Sequence, residues 1–277
     1  MRSLEQIREW PVRHAAAAVV GADGAVASEG DADRVFPLAS VTKPLVAYAV
    51  LVAVEEGAVE LDQPAGPPGA TVRHLLAHTS GFAFDTTDIQ AAPGTRRIYS
   101  SAGFEVLAEF VTEQTGIAFD EYLRDAVFRP LGMAASVLAG PAGHAGRSSA
   151  ADLTRFAAEL LTPRLISAEL HAEATSVQFP GLNGVLPGYG SQRPNDWGLG
   201  VEIRDGKTPH WTGATNSPRT YGHFGQSGTF LWVDPAAGLA CLALTDENFG
   251  DWARAAWPPL SDAVIAESAA THNTVAK

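Results

Sequence analysis

The sequence predicts an α/β (α+β) fold in which a mixed, mainly antiparallel sheet is flanked by terminal helices and carries an inserted, mostly helical subdomain. Three observations support this. Strand-like segments occur near both ends of the 277-residue chain, a helical block lies between them, and turn residues separate the segments. Because the backbone N–H and C=O groups of terminal strands need partners, those strands are expected to pair with one another. We expect a single domain over 1–277, with 1–57 and 196–277 forming the sheet part and 58–195 the helical subdomain.

The first part of the chain alternates between helix and strand patterns. The predicted elements are an N-terminal helix around Leu4, Ile7 and Trp10, a hairpin of 15–20 and 25–28, a short strand at 34–38 and a helix over 41–56. The hairpin prediction depends on the Gly-Ala-Asp-Gly turn between its two apolar segments. The last helix is apolar throughout and stops at Gly57, a typical helix end.

The central block is mainly helical, and the texture changes to strands after Trp197. Helices are predicted at 71–77, 101–115, 119–127 and 150–161, and loops rich in Pro and Gly at 62–69, 140–146 and 180–195. Strands follow at 197–204, 228–234 and 239–245, and a final helix at 251–269. The apolar content of these strands and the turns between them indicate a sheet rather than more helix.

Charge and composition exclude several classes of function. The chain has 19 Lys and Arg against 31 Asp and Glu, a net charge of −12. Nucleic acids and anionic membranes are bound by clustered basic residues, so we predict neither as a partner. The single cysteine, Cys241, excludes an internal disulfide and lies in an apolar strand, as a core residue would. The polar N-terminus lacks the apolar run of a signal peptide, which predicts a cytoplasmic protein.

Only three of the 19 basic residues are lysines: Lys43, Lys207 and Lys277. Codon bias explains why lysine is scarce, but the three lysines are not equally good candidates for a functional role. Lys277 is the last residue and Lys207 lies beside a turn, whereas Lys43 enters an apolar helix. Burial there would lower the pKa of the amine toward that of a usable base, a role that arginine cannot take.

Ser40 lies three residues before Lys43, a spacing that places both side chains on one face of a helix. The hydroxyl and the amine can therefore meet. A helix N-terminus also supplies N–H groups and a positive end that favour a developing oxyanion. The alternative interpretation is a serine helix cap beside a lysine whose amine extends to solvent.

Further short motifs follow Ser40-Val41-Thr42-Lys43 in a fixed order. They are Leu75-Leu76-Ala77-His78-Thr79-Ser80-Gly81, Pro93-Gly94 with Tyr99-Ser100-Ser101, Pro130-Leu131-Gly132-Met133, Trp197-Gly198-Leu199-Gly200 and His223-Phe224-Gly225. Over about residues 36–247 the chain resembles the serine β-lactamase and penicillin-binding protein family, in particular the class C-like β-lactamases and related esterases. Each motif alone is weak, but several in the family's order are specific.

The resemblance implies roles for individual residues. Ser40 would be the nucleophile, Lys43 and Tyr99 would move protons, and the backbone N–H groups of Ser40 and Gln226 would form the oxyanion hole. Preorganised donors of this kind are worth about 3–4 kcal/mol each in acyl transfer. For Tyr99 the alternative is a core tyrosine in a loop. The resemblance implies no metal and no cofactor.

Two departures from the family's motifs bear on the substrate. Ser101 stands where the family has Asn, so a short hydroxyl replaces an amide that both donates and accepts. His223 stands where the family has Lys or His, and a histidine is mostly neutral at pH 7. A fixed cation that would bind a β-lactam carboxylate is then missing. Ser101 and His223 are candidate substrate-binding residues, as are Gly225 and Trp211, for which an ordinary turn and core packing are the alternatives.

These observations favour a serine hydrolase that forms a covalent acyl-enzyme and acts on small carboxylic esters. One alternative is a β-lactamase or a D-amino-acid peptidase or amidase, for which Arg96 or Arg97 would have to supply the missing cation. Another is a non-catalytic, penicillin-binding-like module that only binds its ligand. The expected partner is a small ester, lactone or amide, and the sequence does not predict an oligomeric state.

Two other constellations compete with this interpretation. Residues 225–229, Gly-Gln-Ser-Gly-Thr, nearly match the nucleophile elbow of the α/β-hydrolases, but the fifth residue is Thr and only His272 follows as a histidine. His74 and His78 have the spacing of a zinc site, but Leu75 replaces the glutamate base of that motif.

Overall fold

The computed structural model describes residues 1–275, so Lys277 lies outside it. The strands are β1 Ala15–Gly21, β2 Gly24–Gly30, β3 Val35–Pro37, β4 Val137–Leu138, β5 Gly146–Ser149, β6 Gly184–Leu186, β7 Gly190–Gln192, β8 Glu202–Ile203, β9 Tyr221–Gly225, β10 Thr229–Asp234 and β11 Leu239–Thr245. The α-helices are α1 Thr42–Glu55, α2 Val72–Leu76, α3 Ala102–Thr115, α4 Phe119–Leu123, α5 Arg129–Leu131, α6 Ala150–Leu161, α7 Ala168–Ala174 and α8 Asp251–Val275. Short 3-10 helices cover Arg2–Glu9 and Ala39–Val41, and a π-helical turn, Arg124–Phe128, joins α4 to α5.

The main sheet joins the two ends of the chain, as the sequence predicted. Its six strands run in the order β2-β1-β11-β10-β9-β8, and every neighbouring pair is antiparallel. β1 pairs with β11 along its length, from Ala15 opposite Thr245 to Val20 opposite Ala240. The polar backbone groups of the terminal strands therefore bond to one another across more than 200 residues of sequence.

Both faces of this sheet are covered, which explains why β1 and β11 are apolar throughout. Successive side chains of a strand alternate between faces. Ala16, Ala18 and Val20 belong to a core with helices α1 and α6, whereas Ala17 and Val19 belong to a second core with the N-terminal segment and α8. The prediction of a sheet flanked by the terminal helices is confirmed. Cys241 is buried in the second core.

One predicted strand pairs differently from the expectation. β3 exists, but it pairs with β5 in a separate three-stranded sheet, in the order β3-β5-β4. Its partners come from the helical part of the chain. This second sheet places the end of β3, and the turn that follows it, between the helical part and the main sheet.

The segment predicted as a strand at 197–204 is a strand only at Glu202–Ile203. Gly200 has a φ of 79°, outside strand geometry, and a Cβ there would lie 2.1 Å from the Cβ of Ala47 on α1. The glycine is needed because the backbone passes against the helix, and this close approach breaks the strand.

Several short elements have no counterpart in the prediction. The hairpin β6–β7 lies in the segment 180–195, which was expected to be a loop, and no element was predicted over α7 or β9. Strands of three to five residues that contain glycine carry too little periodicity to stand out. α8 extends beyond the predicted 251–269 and contains Pro258 and Pro259.

No helix within the described residues 1–275 is long and apolar enough to cross a membrane. The cytoplasmic location and the division into a sheet part and a helical subdomain stay predictions.

Candidate active site

Ser40 lies at the junction between β3 and α1. The chain leaves β3, passes Ala39 at a φ of 45°, and forms the 3-10 turn that leads into α1. Lys43 lies one turn further on, and its Nζ is 3.4 Å from Ser40 Oγ. The structure therefore brings the serine and the lysine together on one face, as their spacing indicated.

Lys43 is fully buried, and no carboxylate bonds to its amine among the described residues. Its Nζ donates to the Gly143 carbonyl at 2.8 Å and to Ser101 Oγ at 3.1 Å. The ring of Tyr99 lies 4.6 Å from the same nitrogen. Burial disfavours the charged amine and lowers the pKa of Lys43 to about 7, against an ordinary value of 10.5. A substantial fraction of this amine is unprotonated at neutral pH.

Glu105 acts on Lys43 from a distance. Its two carboxylate oxygens accept the backbone N–H groups of Ala142 and Gly143 at 2.8 and 2.7 Å. The loop held in this way presents the Gly143 carbonyl to Lys43. The negative charge of Glu105 also acts to raise the pKa of Lys43, against the larger effect of burial.

Tyr99 and His223 form a second pair beside Ser40. The Tyr99 hydroxyl lies 3.3 Å from His223 Nε2, and His223 Nδ1 lies 2.7 Å from the Phe224 carbonyl. Burial, followed by the charge of Lys43, lowers the pKa of His223 to about 3, so the ring is neutral. Because a carbonyl only accepts, we assign the proton to Nδ1, and Nε2 then accepts from Tyr99.

Tyr99 is also held in its neutral form. Burial raises the pKa of its phenol, while a hydrogen bond with Ser40 acts in the opposite direction. The ring packs 4.6 Å from the buried ring of His78 and 5.6 Å from Trp197. His78 Nδ1 accepts the backbone N–H of Ser100, which fixes the segment that carries Tyr99.

The turn between β9 and β10 is attached to the turn that carries Ser40. Thr229 Oγ1 donates to the Leu38 carbonyl at 2.9 Å, and Ser227 Oγ donates to the Pro37 carbonyl at 2.8 Å. A Cβ at Gly225 would lie 2.3 Å from the Leu38 carbonyl oxygen. The absence of a side chain at Gly225 therefore lets the two backbones meet and brings Gln226 beside Ser40.

A cavity of about 300 Å³ opens onto these groups. Four of the predicted site residues line it: Ser40, Tyr99, His223 and Gln226. Its other walls are mainly apolar and are formed by Phe84, Leu186, Pro187, Trp197 and Phe224, with Glu202 as the remaining member. Such an enclosure, with Ser40 in its wall and the Lys43 amine 3.4 Å from the Ser40 hydroxyl, is suited to a small, largely apolar carbonyl compound.

The structure places three predicted substrate-binding residues outside this lining. Ser101 bonds to Lys43, Gly225 packs against Leu38, and Trp211 is buried beside Phe224 with its Nε1 bonded to Glu202. The position of Trp211 therefore gives no support to the prediction that it contacts a substrate. It agrees with the alternative, a tryptophan that packs in the core.

The arginines considered as replacement cations also lie outside the cavity. Arg97 is buried and donates to backbone carbonyls, among them that of Asn195 at 3.0 Å, and Arg96 lines a neighbouring groove.

Sequence reasoning missed Glu202 and misjudged Lys207. Lys207 is not a surface residue beside a turn: it is 3% exposed, and its Nζ lies 3.2 Å from Glu202 Oε1. His210 Nε2 also lies 3.0 Å from Oε1. Burial acts to raise the pKa of Glu202, but the charges of Lys207 and His210 outweigh it and hold that pKa well below its ordinary value. The scarcity of lysine was the available signal.

The structure forms neither the α/β-hydrolase nucleophile elbow at 225–229 nor a zinc site from His74 and His78. Ser227 lies on a turn between two strands, whereas the hydrolase elbow joins a strand to a helix, and His272 lies outside the residues whose side chains are described. His74 Nδ1 bonds to Thr71 Oγ1, and His78 lies beyond the end of α2 at a φ of 55°, so the two rings do not share a helix face.

The fold and this arrangement of Ser40, Lys43 and Tyr99 are those of a serine hydrolase. The family model described as Beta-lactamase matches residues 5–264, and the chain belongs to the beta-lactamase family. Its motif resemblance is thereby confirmed.

Three relatives illustrate the range of the family. A Mycobacterium bovis structure described as a beta-lactamase is 62% identical, with a TM-score of 0.95, over 96% of this chain and 99% of that one. Penicillin-binding protein 4 of Amycolatopsis lactamdurans is 27% identical over 77% of this chain and 72% of its own length. Esterase EstB of Burkholderia gladioli is 42% identical over 66 residues, which are 19% of this chain and 17% of that protein.

Proposed function

We propose that the protein hydrolyses small carboxylic esters through a covalent acyl-enzyme on Ser40. One observation carries the proposal: Ser40 lines a largely apolar cavity that no described lysine or arginine lines, and the buried Lys43 amine lies 3.4 Å from the Ser40 hydroxyl. The geometry supplies a nucleophile and a base without a fixed cation for an anionic substrate.

In the acylation step, Ser40 Oγ attacks the ester carbonyl while its proton passes toward the unprotonated Lys43 amine, with Tyr99 hydrogen-bonded to Ser40. The carbonyl oxygen becomes an oxyanion, which accepts hydrogen bonds from the N–H groups of Ser40 and Gln226 at the joined turns. The oxyanion then collapses to the carbonyl, the bond between the acyl carbon and the alcohol oxygen breaks, and the proton held by Lys43 and Tyr99 is returned to the departing alkoxide.

In the deacylation step, water attacks the acyl carbon and gives up a proton to the same pair. The bond to Ser40 Oγ then breaks, the acid leaves, and Ser40 recovers its proton. His223 keeps the Tyr99 hydroxyl directed by accepting its hydrogen bond, and it stays neutral throughout the physiological range because burial holds its pKa at about 3.

Esters are favoured over penicillins and peptides by two features. A carboxylate-bearing substrate needs a cation, and His223 is neutral at the position where the family also uses lysine. Ser101, at the family's Asn position, bonds to Lys43 and does not line the cavity, so it offers a substrate amide no contact there. The local similarity to Esterase EstB supports the same conclusion.

A second candidate is β-lactam hydrolysis. It is favoured by the 62% identity to the Mycobacterium bovis protein described as a beta-lactamase. The two candidates use the same nucleophile and differ in the group that the cavity accepts.

The deciding experiment compares p-nitrophenyl acetate, a lactone, nitrocefin and a D-alanyl-D-alanine peptide in the wild type and in Ser40→Ala. We expect ester turnover to exceed the others and to disappear in the variant. Unchanged ester turnover in Ser40→Ala would refute the acyl-enzyme, and faster turnover of nitrocefin would replace the ester proposal by the β-lactam one. Mass spectrometry after a fluorophosphonate probe should show an adduct on Ser40; a protein that forms none is the binding module.

The pH dependence of kcat/KM should report Lys43. Because protonation removes the base, the rate should fall below pH 7 with an apparent pKa of about 7, by about tenfold for each further pH unit. His223 titrates near pH 3 and stays out of this window. The profile should be recorded from pH 5 to 9 with p-nitrophenyl acetate. A flat profile over this range would exclude Lys43 as the base.

Glu105→Gln should change the pH profile of kcat/KM, because Glu105 positions the loop whose Gly143 carbonyl accepts from Lys43. An amide cannot accept both N–H groups of residues 142–143, so the Gly143 carbonyl loses its fixed place, and kcat should fall by about tenfold. Loss of the negative charge should also move the acid limb to lower pH, because Glu105 raises the pKa of Lys43. Glu109→Gln, an exposed change on the same helix, is the control. A limb that moves to higher pH would contradict the assignment.

A further inference from the structure

Glu202 is the one carboxylate among the described residues that line the catalytic cavity. It is 2% exposed and follows the Trp-Gly-Leu-Gly segment on β8. Nothing in the acyl-transfer steps uses it, although it shares the cavity wall with Ser40 and Tyr99. A buried charge in a largely apolar wall is costly to maintain, and its effect on whatever enters the cavity is weakly screened.

The carboxylate is held in place by three donors from one side. Lys207 Nζ and His210 Nε2 approach Oε1 at 3.2 and 3.0 Å, and Trp211 Nε1 donates to Oε2 at 2.6 Å. None of these donors lines the cavity. Lys207 is further tied to the carbonyls of Asp196 and Ile203. The ion pair therefore presents its negative end to the cavity and its positive end to the protein interior.

We propose that Glu202 is a specificity-determining residue that admits groups carrying a neutral hydrogen-bond donor into the catalytic cavity and rejects groups carrying a carboxylate. This rests on the proposed function and names its substrate class: esters whose bound portion ends in an amide or a hydroxyl. A carboxylate accepts about four hydrogen bonds, and the described residues supply three, so a substrate donor can complete the set. A substrate carboxylate would meet a like charge in a place of low dielectric constant.

The test uses two pairs of ligands of equal shape. p-Nitrophenyl succinamate and p-nitrophenyl hemisuccinate differ by an amide against a carboxylate and report turnover. 3-Carbamoylphenylboronic acid and 3-carboxyphenylboronic acid differ in the same way and report binding by calorimetry, because a boronic acid adds to a serine hydroxyl without being hydrolysed. We expect the wild type to favour the amide by about tenfold or more in both pairs, because the carboxylate would be brought against the like charge of Glu202.

Glu202→Gln should reduce this preference to near one. Because that variant leaves Lys207 without its partner, Glu202→Gln with Lys207→Met is made in parallel and restores a neutral cluster. Glu159→Gln is the matched control: it removes another fully buried carboxylate, which bonds to Tyr48 and Arg164 and does not line the cavity. Its ratios should equal those of the wild type.

Equal affinities for the two boronic acids in the wild type, or binding of neither, would overturn the proposal. So would a preference that survives both Glu202 variants. If the boronic acids keep their Glu202-dependent preference while neither ester is hydrolysed through Ser40, the ester proposal fails and the role of Glu202 stands.

Discussion

Lys43→Met is expected to abolish nearly all turnover and to make the protein more stable at neutral pH. The loss of the base should lower kcat by about 10³-fold or more, in the range seen when a general base is removed. Methionine has a similar length and no charge to desolvate, so the buried site should accept it without a cavity.

The gain in stability follows from the pKa of Lys43. In the unfolded chain the amine has its ordinary pKa of 10.5, and burial lowers this to about 7 in the folded protein. Because the unfolded state binds the proton more tightly, the penalty on folding is complete below pH 7 and is relieved as the pH rises toward 10.5. At pH 7 it is worth about 4 kcal/mol. The Gly143 carbonyl and Ser101 lose a donor, so the net gain should be about 1–3 kcal/mol.

Urea unfolding of the wild type and Lys43→Met at pH 6 and pH 9 tests how the stability gained in the variant depends on pH. The difference in the free energy of unfolding should be larger at pH 6 and smaller at pH 9. Lys207→Met provides the opposite case, because it removes the lysine charge that pairs with the buried Glu202 carboxylate and should destabilise the protein by about 3–5 kcal/mol. A difference that grows with pH would show that Lys43 is charged in the folded protein.

Gly225→Ala should inactivate the enzyme by separating the two joined turns. The new Cβ would lie 2.3 Å from the Leu38 carbonyl oxygen and 2.6 Å from Thr229 Oγ1, both closer than atoms can approach. The turn that carries Gln226 must then move away from Ser40. We expect kcat/KM to fall by about 10²-fold, as for the loss of one oxyanion donor, and the free energy of unfolding to fall by about 1–3 kcal/mol.

Two further variants show whether the loss of activity in Gly225→Ala comes from the separated turns or from the added methyl group alone. Gly206→Ala meets no atom within 4 Å and should change the free energy of unfolding by less than about 0.5 kcal/mol. Ser227→Ala removes the hydrogen bonds of Ser227 Oγ with the Pro37 carbonyl and with Thr229 Oγ1 and introduces no clash, so it should lower kcat/KM while the protein remains folded. Full activity in Gly225→Ala would mean that the contact between the turns does not position the oxyanion hole.

The candidate site could be predicted from the sequence more completely than the strands around it. Ser40 and Lys43 are neighbours on one helical turn, so their spacing alone predicts that they meet. Tyr99, His223 and Gln226 could be placed near them only through the order of family motifs, since their contacts cross long stretches of chain. β9 was missed because Tyr-Gly-His-Phe-Gly has two glycines in five residues, and its strand conformation depends on pairing with β10.

The burial of Lys207 could not be predicted for a related reason. Its partner Glu202 lies five residues earlier, across an Asp-Gly turn that resembles surface sequence. Glu202 and Lys207 are buried only once β8 has joined the edge of the main sheet. Local patterns report which residues are polar, whereas the pairing that permits a buried charge is a property of the assembled fold.

The strand order also sets when, during synthesis, this protein can first become active. Ser40 and Lys43 are synthesised before β11, which lies between β1 and β10 in the sheet. Until it emerges, the β1–β2 hairpin and β10 each have an unpaired edge on the side that β11 will occupy, so the six-stranded sheet that supports both Ser40 and the strand of His223 is not assembled. A nascent chain that has not reached β11 should therefore carry the nucleophile without the catalytic geometry, and its exposed edge makes it a client for chaperones.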